Sequence, residues 1–254
     1  SFLEKEHNLL VRADKKQIIK WMELNGGKLK YESGEWFSIR IKGKKIEKLL
    51  ALKWVWEVGF ENYTGMVLND HVPQNTNVSG LQTGWQFDSS LTGKGVLVGF
   101  IDAGIDYTHS DFIDENGNSR ILYIWDQNPP ADSTLIFEDY GYGHLYTSDT
   151  LNSWLGSGIE VPLDPSSLFG HGSTVAGAVA SNGRALHDEL IQGTVLSDLH
   201  GIAGESKIIM VSSDFNSENW LATVADGVDS MLNKAEDLNM PVIINLSVGT
   251  YLGS

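Results

Sequence analysis

The chain has 254 residues, 41% of them hydrophobic, and no cysteine. That length suits one large globular domain or two small ones, and the missing cysteines exclude a thiol nucleophile, a cysteine-ligated zinc and any disulfide. The net charge of −15 is unevenly divided, because residues 1–62 carry 13 basic and 9 acidic side chains and the remainder carries 5 and 24.

A basic segment joined to a strongly acidic one predicts two domains that attract each other. The acidic part would repel phosphates, which argues against a nucleic-acid partner. No apolar run reaches the roughly 18 residues that would predict a membrane span. No charged and apolar leader precedes the first strand, so no signal peptide is expected in this sequence.

In chain order, residues 8–13 read as a short strand. Asp14 is a good N-cap for the run 15–24, where Ile18, Ile19, Trp21, Met22 and Leu24 supply an apolar face. Asn25, Gly26 and Gly27 end that helix. Residues 29–41 read as two strands about a turn at 32–35, residues 44–54 as a second helix and residues 55–60 as a last strand. The order βαββαβ is the ferredoxin-like, split-βαβ arrangement, expected as a small α+β domain over residues 1–62. Residues 63–93 are rich in Asn, Gly, Ser and Thr and read as a linker.

From residue 94 to 254 the pattern becomes α/β. Residues 95–102 are continuously apolar, as buried parallel strands are, and stop on Asp102. Residues 119–126 suggest another strand, 173–181 a helix of small residues and 208–213 a strand. Residues 220–239 read as an amphipathic helix and 242–248 as a final strand. Strand–helix–strand units with short loops imply a mostly parallel sheet with helices on both faces.

Two residues stand out for chemistry. In open α/β sheets functional groups gather at the carboxyl ends of strands, where Asp102 sits with Gly104 just beyond. His171 is flanked by Gly170 and Gly172 at the start of the small-residue helix. A carboxylate in that place can hold an imidazole in one tautomer and stabilise its charged form. Alone, either residue could equally be structural, Asp102 as a turn cap and His171 as a packed ring. Asp106 reads as the cap of the following turn. His109, His144, His187 and His200 lack a comparable frame and read as surface or loop residues.

Together these segments resemble the subtilase family of serine endopeptidases. The sequence DAGID at 102–106 matches the family's Asp motif, with Ala103 where Ser or Thr is usual and a carboxylate-binding hydroxyl is lost. GHGSTVAG at 170–177 matches its His motif. GIAGESKIIMV at 201–211 resembles its Gly-Val-Ala-Pro stretch, and NLSVG at 245–249 the strand lining the first substrate pocket. RILYIWDQ at 120–127 more weakly resembles subtilases related to the clostridial spore-germination proteases.

The resemblance implies a subtilisin-like catalytic domain, represented by its amino-terminal part, with residues 1–62 as its propeptide, an intramolecular chaperone and inhibitor. Asp102 and His171 would be catalytic. Ser213, Asp214, Phe215 and Asn216 on one side, and Ser247, Val248 and Gly249 on the other, would bind an extended peptide. Ser247 is not the nucleophile by this alignment. The family's Gly-Thr-Ser motif and oxyanion Asn would follow residue 254, so this chain alone is expected to be inactive.

The partners implied are a peptide or protein substrate, the chain's own amino-terminal domain and a carboxyl-terminal half. A pseudoprotease that binds or regulates is the alternative function. The expected setting is secreted or at a bacterial cell surface. No cofactor is required. Asp111 matches a position that often binds calcium, and its plain reading is a surface carboxylate. The long stretch between Asp102 and His171 carries Tyr123, Trp125, Phe137, Tyr140, Tyr142, Tyr146 and Trp154. It reads either as a lid or subsite wall, or as a surface insertion packing its own aromatics.

Overall fold

A computed structural model describes residues 2–59, 66–67, 89–128, 136–159, 161, 163, 170–185 and 200–249. The amino-terminal elements are β1 (Glu6–Ala13), α1 (Lys15–Asn25), β2 (Lys28–Ser33), β3 (Trp36–Lys42), α2 (Gly43–Leu50) and β4 (Val55–Gly59). The strands form one antiparallel sheet in the order β2-β3-β1-β4. Strand alternation decides its two faces. Leu9, Val11, Ala13, Phe37, Ile39 and Ile41 point to one side and bury against Ile18 and Met22 of α1 and Ile46 and Leu49 of α2. Asp14 caps α1 by accepting from the Gln17 amide at 3.0 Å. Helix α2 ends at Leu50, four residues short of the expected end, because Ala51–Trp54 turn back and set Leu52 and Trp54 against the same core.

A short strand β5 (Met66–Val67) precedes the second unit, whose first strand is β6 (Leu97–Asp102). There follow β7 (Ile121–Asp126), β8 (His144–Thr147), α3 (Ser148–Ser157), α4 (His171–Ala180), β9 (Lys207–Ser212), α5 (Trp220–Leu238), β10 (Val242–Leu246) and β11 (Val248–Gly249). The main sheet runs β10-β6-β9-β7-β8, parallel except for the edge strand β8. Helices cover both faces, and the alternation of each strand tells them apart. Val98, Phe100, Ile208 and Met210 bury against Ala176 and Ala180 of α4. Leu97, Ile101, Ile209 and Val211 bury against Met231 and Ala235 of α5.

One expectation needs correction. The final strand is broken at Ser247, whose hydroxyl accepts from the Asn245 side chain at 3.0 Å. Val248–Gly249 then leave the main sheet and pair antiparallel with Met66–Val67. Of the two readings of the aromatic stretch, the described rings follow the packed one. Trp125 lies 4.7 Å from Tyr140 and 5.1 Å from Phe137, ring centre to ring centre, in the layer beside α5. Tyr146 lies 5.3 Å from Trp154, in the layer with α4.

The two units meet through the polar face of the amino-terminal sheet. Lys30 pairs with Asp226 of α5, both side chains fully buried. Asp226 also accepts from the Ser38 hydroxyl and the Tyr142 hydroxyl, each at 2.8 Å. Burial pushes the Lys30 ammonium below its ordinary range, and the charge of Asp226 opposes that shift. The Lys30 ammonium and the Arg40 guanidinium lie 5.5 and 5.3 Å from the Tyr142 ring centre, within cation–π range.

Candidate active site

Asp102 shares its strand parity with Val98 and Phe100, so its side chain leaves β6 on the face that α4 covers. Helix α4 begins at His171, and the two side chains meet. His171 Nδ1 lies 2.8 Å from Asp102 Oδ1, with the carboxylate fully buried and the ring 8% exposed.

The glycines explain how the two backbones come so close. Gly170 holds φ 64°, a left-handed N-cap that turns the chain into α4. A Cβ on Gly172 would overlap the Gly104 carbonyl oxygen. Only glycine lets the helix start lie against the turn that follows Asp102.

The turn after Asp102 is held from several sides. Oδ1 also accepts from the Ala103 amide at 2.7 Å. The Asp102 carbonyl accepts from the Ser213 amide at 2.8 Å, and the Ala103 carbonyl from the Ser212 hydroxyl at 2.7 Å. Ala103 packs its methyl with Phe215 and Trp220, and Val224 and Val248 border that cluster. Asp106 caps the next turn, accepting from the amide and hydroxyl of Thr108 at 3.0 and 2.6 Å.

The expected peptide-binding residues divide by exposure. Ser213 is buried and its hydroxyl accepts from the Trp220 indole at 2.9 Å. Phe215 is buried beside Trp220, Asp214 is half-buried and Asn216 is exposed. Burial raises the Asp214 carboxyl above its ordinary range, opposed by the Asn216 amide and aided by the charge of Asp126. Ser247 is buried, while Val248 and Gly249 form β11. Ser213 and Asp102 meet directly, and Phe215 and Val248 share the cluster around Ala103.

Asp111 departs from a plain surface carboxylate, its side chain being 14% exposed. Its Oδ1 accepts from the Ala185 amide at 2.9 Å, and its carbonyl from Arg120 at 2.9 Å. Calcium takes about six oxygen ligands. Among the described residues no group of three His, Cys, Asp or Glu could hold a metal ion. The segment 186–199, including His187, lies outside the described residues. His109 and His200 are exposed. His144 lies partly buried in β8, with its Nδ1 2.9 Å from the Tyr146 hydroxyl.

Sequence reasoning missed three features here: the Ser212 hydroxyl, the Trp220 indole and the pairing of Met66–Val67 with β11. A polar residue ending the otherwise apolar run 208–211 was the available signal for Ser212.

A carboxylate at the end of a parallel strand, joined to an imidazole at a glycine-framed helix start, is the arrangement of an acid–base pair on a doubly covered sheet. Residues 93–254 match the model of the Subtilase family, and the chain belongs to this family of serine proteases. Among solved structures, the Clostridium perfringens CspB protease is 31% identical. That match covers 70% of this chain and 32% of that one, with a TM-score of 0.51. Fervidolysin from Fervidobacterium pennivorans, a keratinolytic enzyme related to subtilisin, is 18% identical, covering 98% and 36% at a TM-score of 0.47. The epidermin leader peptide processing serine protease of Staphylococcus aureus is 16% identical, covering 97% and 50% at a TM-score of 0.47. The chain thus spans between a third and a half of the length of these structures. No curated protein sequence matches it. Among the described residues no helix is long and apolar enough to cross a membrane.

Proposed function

We propose that the protein is a serine endopeptidase in which Asp102 and His171 serve a nucleophilic serine supplied by sequence following residue 254. The 2.8 Å contact between His171 Nδ1 and Asp102 Oδ1 carries this reading. Asp102 holds the ring with its proton on Nδ1, which turns Nε2 toward the serine. His171 takes the serine proton as the hydroxyl oxygen attacks the peptide carbonyl, then gives it to the departing amine. Asp102 stays ionised and stabilises the imidazolium between the two steps. These transfers need no cofactor.

Residues 1–62 act as a propeptide-like domain on the catalytic part, and the buried contacts to Asp226 support this assignment. The strand Val248–Gly249 receives peptide by edge addition, as its pairing with Met66–Val67 supports. Ser213–Asn216 form the opposite wall. The setting is extracellular, as is usual for the family.

The test is labelling with an active-serine phosphonate. The 254-residue chain should not label, and a protein that also contains the following sequence should. His171→Ala and Asp102→Asn should abolish or sharply slow that labelling. Labelling of the 254-residue chain would overturn the proposed source of the serine, and labelling indifferent to His171→Ala would overturn the relay.

A further inference from the structure

We infer that Ser212 is a positioning residue for the proton relay, an inference that rests on the Asp102–His171 reading above. Three consecutive peptide units follow the Asp102 side chain, and each is pinned from outside. The 102–103 unit donates its N–H to Asp102 Oδ1 at 2.7 Å, and its carbonyl accepts from the Ser213 amide at 2.8 Å. In the 103–104 unit the carbonyl accepts from the Ser212 hydroxyl at 2.7 Å. The 104–105 unit has its carbonyl packed against Gly172, in the first turn of the helix that carries His171.

The middle link differs from the other two. Strand β6 ends at Asp102, so the Ala103 carbonyl lies past the last ladder pair, Asp102 with Ser212. A buried carbonyl needs a donor, and the donor here is a side chain. Ser212 has the parity of Ile208 and Met210, so its hydroxyl projects on the same face as Asp102 and α4. It is 3% exposed, so water does not readily replace it. Ala103, in turn, carries no hydroxyl and packs with Phe215 and Trp220. The polar group that steadies the turn is therefore on β9.

Without the Ser212 hydroxyl, the 103–104 unit is free to rock. That motion moves the Ala103 N–H on one side and the Gly104 carbonyl on the other. Both the aim of the Asp102 carboxylate and the seat of His171 then loosen, while the residues that touch the reacting atoms are unchanged.

The experiment is NMR of the His171 ring in the purified 254-residue chain. The readouts are the fraction of ring protonated on Nδ1 and the rate at which that proton exchanges with water. Ser212→Ala should speed exchange by about tenfold, the size of one net buried hydrogen bond, and lower the Nδ1–H fraction. Ser230→Ala is the control for structural loss alone. Ser230 is 4% exposed; its hydroxyl also donates to a carbonyl, that of Gly227 at 2.8 Å, and accepts from the Tyr123 hydroxyl at 3.0 Å, on α5 and away from His171. It should lower the urea midpoint at least as much and leave the His171 signals untouched. Ser212→Thr, which keeps the hydroxyl, should restore the parent signature, and Ser212→Val, its isostere without one, should not.

Identical His171 signals in the Ala variant and its control, or in the Thr and Val variants, would overturn the inference. Asp102→Asn separates it from the reading beneath it. If that variant leaves the His171 tautomer unchanged, the relay itself is wrong. If it changes the tautomer and Ser212→Ala does not, only the role of Ser212 is wrong.

Discussion

Two glycines of one helix make opposite predictions for the same substitution. In Gly172→Ala the new methyl falls on the Gly104 carbonyl, with the carbonyl carbon at 3.0 Å and the Gly104 nitrogen at 3.1 Å. All of these are backbone atoms, so no side chain can swing aside. Overpacking of this kind costs about 1–3 kcal/mol or more, against a helix-propensity gain of about 1 kcal/mol. The net expected ranges from no gain to a loss of about 2 kcal/mol or more, with a wider Asp102–His171 separation. In Gly177→Ala the methyl meets nothing within 4 Å. The propensity gain then stands alone and stability rises by up to about 1 kcal/mol. Urea unfolding of the two variants and the parent, followed by far-UV circular dichroism, measures both. His171 ring shifts should move in the first variant only. If Gly172→Ala stabilises as much as Gly177→Ala, α4 does not lie against the Asp102 turn, and the glycine frame is explained wrongly.

Lys30→Met leaves Asp226 buried without its cation and should cost about 3–5 kcal/mol, read as a lower urea midpoint and faster amide exchange in β1–β3. Asp214→Asn should raise stability at pH 7, because the folded state holds the Asp214 proton to higher pH than the unfolded chain does. That gain should shrink as pH falls through the raised range and vanish below the ordinary value of 3.8, checked by thermal melts from pH 7 to pH 3.5. Arg120→Met strips the donors from the carbonyls of Asp111, Ala180 and Ser206, bonded at 2.7–2.9 Å. A loss of at least about 2 kcal/mol should follow, with hydrogen exchange rising first at the carboxyl end of α4.

The fold was legible wherever local pattern and burial agree. Strand β6 is apolar throughout because helices cover both its faces, and an unbroken apolar run announces that. Asp14, Gly26 and the alternation of residues 36–41 set out the first unit in the same way. Asp102 and His171 were legible because backbone constraints surround them: a strand end on one side and two glycines on the other. Their partner atoms were not. Ser212 reads as one more small residue at a strand end, and its role depends on the register between β6 and β9, which is non-local. The break at Ser247 was hidden for a similar reason. Residues 242–248 look like one strand, and the change of sheet is set by Met66–Val67, about 180 residues earlier. The aromatic stretch was ambiguous because aromatic spacing alone does not say which layer a ring enters.

The charge division also predicted an attraction between the two units, and the form it takes has a consequence for how they could part. The contact is mainly polar, with Tyr31 of β2 packed beside the cluster under α5. Asp226 gathers donors from Lys30 and Ser38 on the amino-terminal sheet and from Tyr142 on the insertion. Lys28 reaches the Glu138 carbonyl, and His7 lies 3.7 Å from Glu218. Burying a charged pair contributes little net stability, because the desolvation of both ions offsets their attraction, yet removing one partner alone is costly. Such a contact discriminates strongly for the matching surface and binds it only moderately. Once apart, Lys30 and Asp226 regain water, and Asp226 keeps the Tyr142 hydroxyl on its own side. An apolar interface would leave two exposed patches prone to aggregation. A sheet that hides its apolar face beneath α1 and α2 thus docks on the second unit mainly through charged and hydroxyl groups, which water can serve in their partners' place.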